Sequence, residues 1–89
     1  MLNAVTTKQF EKDVKLARKR GKNLNKLYTI MQLLLEQQKL PNKNFDHWLT
    51  GNYANRRECH IEPDWLLIYK LGSKEILFER TGTHSDLFQ

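Results

Sequence analysis

The chain has 89 residues, a length that fits one small domain and excludes two. Hydrophobic residues make up 39% and charged residues 28%, a composition that excludes a disordered chain. The net charge of +5 and a pI near 9.5 favour an acidic partner such as nucleic acid or an acidic protein.

The charge is segregated. Residues 1–43 hold ten Lys/Arg and three Asp/Glu, whereas residues 44–89 hold five and seven. The positive field therefore belongs to the N-terminal half, either as a solvated helical surface or as a face that docks on RNA. Cys59 is the only cysteine, so the chain has no intrachain disulfide and no cysteine-based zinc site. That usage fits a reducing cytoplasm. No charged-then-apolar leader opens the sequence, and Leu33-Leu34-Leu35 is far too short to cross a bilayer. The expectation is a soluble intracellular protein.

In chain order, Leu2 to Val5 reads as a short strand. Thr6 precedes Gln9 by the spacing of a capping box, which predicts a helix from Thr7 to Arg20. Phe10, Val14 and Ala17 fall on one of its faces and Lys8, Lys12, Lys15 and Lys19 on the other. Gly21 suits its C-terminal stop. A second helix is expected over Asn23 to Gln38, where Leu24, Leu27, Tyr28, Met31, Leu34 and Leu35 recur at core spacing. The short link between the two predicts an antiparallel hairpin.

Leu40 to Tyr53 is rich in turn residues and reads as a loop, yet it carries Asp46-His47-Trp48-Leu49. Three strands are expected next, over Asn55 to Ile61, Trp65 to Leu71 and Glu75 to Arg80. A Pro63-Asp64 turn joins the first two, and a Gly72-Ser73 turn the last two. The tail holds one helical turn ending at Leu87-Phe88. The expected fold class is α+β: a two-helix hairpin packed on a small, mainly antiparallel sheet, its other face open or closed by a partner.

The chemistry gathers around the Pro63-Asp64 turn. His60 and Asp64 stand on either side of it, and His47 and His84 flank it at long sequence distance. Imidazole is the side chain best matched to proton transfer near neutral pH. Brought together, the four groups make a proton-transfer site that needs no metal. His60-Ile61-Glu62 has the His-x-Glu form of a zinc deaminase, but the Pro-Cys-x-x-Cys that completes such a site is missing. Arg56, Arg57 and Arg80 are candidate phosphate contacts, with Arg80 in strand alternation with Ile76 and Phe78. Trp48, Trp65 and Phe88 could stack on bases; equally, Trp65 and Phe88 could close a core edge. No phosphate-binding Gly-rich loop and no serine nucleophile motif is present.

The run Arg57 to Lys70, with Glu62-Pro63-Asp64-Trp65, and the run Phe78-Glu79-Arg80-Thr81-Gly82-Thr83-His84 resemble a YafQ-type toxin of the RelE/ParE superfamily. Asp13-Val14-Lys15-Leu16-Ala17 and Asn25-Lys26-Leu27 extend the similarity over nearly the whole chain. The resemblance implies a RelE-like domain over residues 1–89 and a type II toxin. Its activity would be that of a ribosome-dependent endoribonuclease cutting mRNA in the A site. It also implies the partners: a cognate acidic antitoxin, the 70S ribosome with its mRNA, and operator DNA only through the antitoxin complex. No cofactor, metal or membrane is implied. The family's functional residues fall on His47, His60, Asp64, Arg80, His84 and Phe88, with Trp65 beside them. One departure is that the family usually has His-Pro-Leu where this chain has His47-Trp48-Leu49, a change expected to loosen the loop.

On this reading the ribose 2′-OH attacks the adjacent phosphate in line, giving a 2′,3′-cyclic phosphate and a free 5′-OH. Asp64 is expected as base and His84 as acid, with exchange among Asp64, His60 and His84 left open. His47, His60 and Arg80 would hold the phosphate, and Phe88 and Trp65 the nucleotide. The basic residues Lys8, Lys12, Lys15 and Lys19 would grip ribosomal RNA. Rival readings are a ParE-like toxin that inhibits DNA gyrase by binding, or a non-catalytic antitoxin-binding module.

Overall fold

The structure, a computed structural model, describes residues 1–51 and 55–88. Strand β1 (Asn3–Thr6) is followed by helices α1 (Lys8–Lys19) and α2 (Leu24–Leu35). A short 3-10 turn (Asn42–Asn44) then leads through strands β2 (His47–Trp48), β3 (Arg57–Glu62), β4 (Trp65–Leu71) and β5 (Glu75–Gly82) to helix α3 (His84–Phe88). The five strands form one sheet in the order β1-β5-β4-β3-β2. β1 runs parallel to β5, and every other pair is antiparallel.

The helices begin and end where side chains and backbone satisfy their terminal groups. Thr7, not Thr6, caps α1: its hydroxyl accepts from Phe10 N–H at 2.9 Å and donates to Glu79 O. The expected Thr6–Gln9 capping box is therefore absent, because Thr6 belongs to β1. Gly21 ends α1 at φ +80°, where Lys22 N–H reaches back to Ala17 O. α2 stops at Leu35, three residues short of the expected Gln38. Gln37 adopts φ +59° and Gln38 N–H bonds Leu33 O, so the same terminal motif forms without a glycine to announce it.

Both long helices lie on one sheet face. Phe10, Ala17, Leu27, Ile30, Leu34 and Leu35 pack there against Cys59, Trp65, Leu67, Tyr69, Ile76 and Phe78. Tyr28, expected in this stripe, is instead 46% exposed. The opposite face is not left open. Leu66 and Ile68 are fully buried beneath Leu87 of α3, with Leu49 beside them. The chain's own tail thus closes part of this second face.

Two further expectations change in detail. His47 and Trp48, read as loop, form a two-residue strand paired with Glu58 and Arg57. β3 starts at Arg57 rather than Asn55, and β5 runs on to Gly82. Asn52 and Tyr53 of the expected loop, and Gln89 of the tail, lie outside the described residues.

Candidate active site

Side chains opposite each other in an antiparallel pair face the same side of a sheet. The register puts His47 opposite Glu58, Glu58 opposite Ile68, and Ile68 opposite Arg80. The next row runs His60, Leu66, Gly82. Glu58, Ile68, His60 and Leu66 lie on the face away from α1 and α2; the register shifts between Ile68 and Tyr69, and Arg80 bonds Asp13 of α1. A bulge between His60 and Glu62 shifts the register just before the Pro63-Asp64 turn, so the turn projects Asp64 toward the start of α3.

α3 is docked by a reciprocal cap. Asp86 N–H donates to Thr83 Oγ1 at 3.1 Å, and Thr83 N–H donates to Asp86 Oδ2 at 2.9 Å. Arg20, just past the end of α1, adds a two-pronged ion pair to the same carboxylate at 2.6 and 3.2 Å. The Arg20 guanidinium and the Thr83 N–H hold the Asp86 carboxyl well below the usual range. Gly82 makes the approach possible, since a Cβ there would stand 2.8 Å from Asp86 Oδ2.

This docking delivers His84. Its backbone N–H donates to Asp64 Oδ1 at 2.8 Å and its ring Nδ1 to the same oxygen at 2.6 Å. The two bonds hold the Asp64 carboxyl below its ordinary value. A carboxylate can only accept, so Nδ1 carries the proton and Nε2 is left for other partners. The His60 ring lies 5.7 Å from the His84 ring, edge to face. Phe88 lies 6.5 Å from the His84 ring and Phe45 lies 5.6 Å from the His60 ring. Each ring thus neighbours the next in the order Phe45, His60, His84, Phe88.

His47 joins through a carboxylate. Glu58, only 5% exposed, places Oε1 3.4 Å from His47 Nε2 and 3.3 Å from His60 Nε2. These contacts become ion pairs only when the facing ring nitrogen bears a proton. His47 Nδ1 donates to Phe45 O at 2.6 Å, which fixes the ring without a proline at position 48. Further contacts brace the loop. Tyr69 Oη and Arg57 Nε both donate to Asp46 Oδ1, and Trp48 packs under the Arg57 guanidinium at 4.8 Å.

The structure thus gathers His47, His60, Asp64 and His84 on one surface, with Phe88 at its edge. Trp65 is the correction. It is 1% exposed on the helix side of the sheet, and its indole N–H donates to Thr81 Oγ1 at 3.0 Å. A ring enclosed in the core has no face for a base. Arg80 lies on the row of Glu58 and Ile68 but is gripped by buried Asp13, at 2.8 Å from Nε and 3.3 Å from an Nη. Arg56 pairs with Glu79 at 2.7 Å. Lys8, Lys12, Lys15 and Lys19 are all exposed on α1. Among the described residues no three His, Cys, Asp or Glu side chains are grouped to hold a metal.

Glu58 and Phe45 escaped the sequence reading. Strand parity could have found Glu58, which stands two residues before His60 and must share its face. Nothing in the sequence marks Phe45 beyond its being an apolar residue in a polar loop.

The chain is similar to known proteins in both sequence and fold. The chain is 53% identical over 81 residues to the mRNA interferase toxin YafQ of Escherichia coli K12, covering 90% of this chain and 88% of that protein. The crystal structure of YafQ from E. coli BL21(DE3) superposes with a TM-score of 0.94 at 47% identity, covering all of both chains. The E. coli DinJ-YafQ toxin-antitoxin complex gives 0.91 at 48% identity over 99% of this chain and 98% of that one. Residues 2–89 match the family described as the bacterial toxin of type II toxin-antitoxin systems, YafQ, and the chain belongs to that family.

Proposed function

We propose that this chain is an mRNA interferase: the toxin of a type II toxin-antitoxin pair, acting as an endoribonuclease on mRNA in the ribosomal A site without a metal. The observation that carries the reading is the convergence of His60 and His84, 5.7 Å apart, with Asp64 bonded to one and Glu58 in contact with the other. A protein that acted only by binding gyrase or an antitoxin would have no use for two imidazoles each backed by a carboxylate.

The roles follow from which atoms are already engaged. Asp64 spends Oδ1 on two bonds to His84, and its lowered pKa makes it a poor base. Its role passes from base, as the sequence suggested, to orienting His84, as a buried aspartate orients histidine in other proton-transfer sites. His84 is then the acid that protonates the leaving 5′-oxygen from Nε2. His60 takes the 2′-OH proton, with Glu58 stabilising the imidazolium that forms. His47 holds the phosphate from the loop side, and Arg80 supplies positive charge to the phosphorane from the neighbouring row. Phe88 receives a base beside His84.

The partners that follow are an acidic antitoxin, the 70S ribosome and mRNA in a bacterial cytoplasm, and operator DNA only through the antitoxin complex. Among the described residues no helix is long and apolar enough to cross a membrane. His84→Ala should lower single-turnover cleavage on programmed ribosomes by roughly 100- to 10,000-fold. Its melting temperature and antitoxin binding should stay at the parental level. Undiminished cleavage would refute the assignment.

A further inference from the structure

Phe45 has no role in the mechanism just described, yet its presentation is costly. Its backbone sits in the left-handed region at φ +44°, ψ +51°, which bulky residues rarely enter, and its side chain is 65% exposed. The conformation is held from several sides. Phe45 N–H donates to Asn42 O at 3.1 Å, and Phe45 O accepts from His47 Nδ1. The preceding Asn44 amide donates to His60 O at 2.6 Å. The ring ends edge-on against His60, whereas Phe88 meets the His84 ring at a tilt. A cleft beside it is lined by Lys26, Lys43, His60, Glu62 and Pro63, with Lys26 Nζ bonded to Glu62 at 3.0 Å.

An exposed aromatic held in an unfavourable backbone, continuous with the histidine pair and beside Lys43, has the chemistry of a base platform next to a phosphate contact. We propose that Phe45 stacks a nucleobase of the mRNA at the His60 end of this series of rings, with Phe88 at the His84 end. The strand then crosses the four rings with one base on each phenylalanine. The scissile phosphodiester lies over His60 and His84, and Lys43 meets a flanking phosphate. This rests on the mRNA interferase reading, and it adds the second wall of the substrate groove.

The test uses the whole toxin on 70S ribosomes carrying a defined mRNA, with Phe45→Leu, Phe45→Gly and Phe45→Trp. Single-turnover cleavage should fall about tenfold or more for Leu and Gly and persist for Trp, as expected for losing one stacked base. The Gly variant should melt no lower than the parent, since glycine accepts this φ freely. That outcome separates loss of a platform from loss of structure. In parallel, an uncleavable 2′-O-methyl mRNA carries 2-aminopurine at each codon position in turn. Toxin binding should quench one position, and Phe45→Leu should abolish that quench. Parental cleavage and quenching in the Leu and Gly variants would overturn the proposal. So would a defect confined to antitoxin binding, which would make Phe45 a protein contact. A parent that quenches through Phe45 but cuts no mRNA would sink the nuclease reading and leave the platform standing.

Discussion

At the scale of the residue, the proposed site sets its imidazoles against two carboxylates of different character. Asp64 is exposed and bonds to His84 through both backbone and ring, whereas Glu58 is enclosed and touches His47 and His60 together. Asp64→Asn keeps the shape and one acceptor but removes the negative charge bonded to the His84 ring. Cleavage should fall by roughly 100-fold or more, as when an orienting aspartate is neutralised elsewhere. Circular dichroism should stay unchanged, and cleavage at the parental rate would return Asp64 to a turn-forming role. His47, His60, Asp64 and His84 were legible because histidine and turn aspartate are chemically conspicuous. Trp65 misled for the same reason: an indole suggests stacking, and only burial shows that its faces are spent on Lys22 and the core. Glu58 was missed because a glutamate at a strand position reads as solvated charge until its neighbours enclose it.

At the scale of the element, α3 is a five-residue helix that nucleates poorly alone and depends on its cap. Asp86 accepts from Thr83 N–H and from Arg20, and it sits against Gly82. Asp86→Ala should cost about 1 kcal/mol, the usual loss for a cap. For a domain of this size that lowers the melting temperature by roughly 4–8 °C. The acid response gives an independent check. The folded-state carboxyls of Asp86 and Asp64 lie below their ordinary value of 3.8, so their stabilisation is fully present above that value. It is lost as pH falls through the depressed folded values. Unfolding titrations from pH 6 to pH 2 should steepen below pH 4 in the parent and flatten in Asp86→Ala; superimposable curves would show that the cap carries no such linkage. The elements themselves were read well wherever a strong periodicity or a glycine marks them, as in α1, β4 and β5. They were read poorly where an ordinary residue takes a special φ. Gln37 ends α2 without a glycine, and the two residues of β2 are too few to show alternation.

At the scale of the whole molecule, the sheet separates two surfaces of different character. α1 and α2 cover one face and carry the lysines, while the other face carries the imidazoles beside the apolar patch closed by α3. Replacing Lys8, Lys12, Lys15 and Lys19 with glutamate should weaken ribosome binding and flatten its dependence on salt. Affinity that stays constant at moderate salt would assign these lysines to solvation alone. The two-layer plan was legible because the helical stripes and strand alternation are both strong. The cover over the second face was not, because a short tail with a single buried leucine, Leu87, leaves no periodic trace. The same division governs the only thiol. Cys59 lies between Glu58 and His60 in β3, so alternation turns it away from them into the core, where it has no exposure and burial pushes its pKa far up. An oxidant must part the sheet to reach that sulfur, and by then the imidazoles are already scattered. The folded chain therefore offers an oxidant no thiol at its surface.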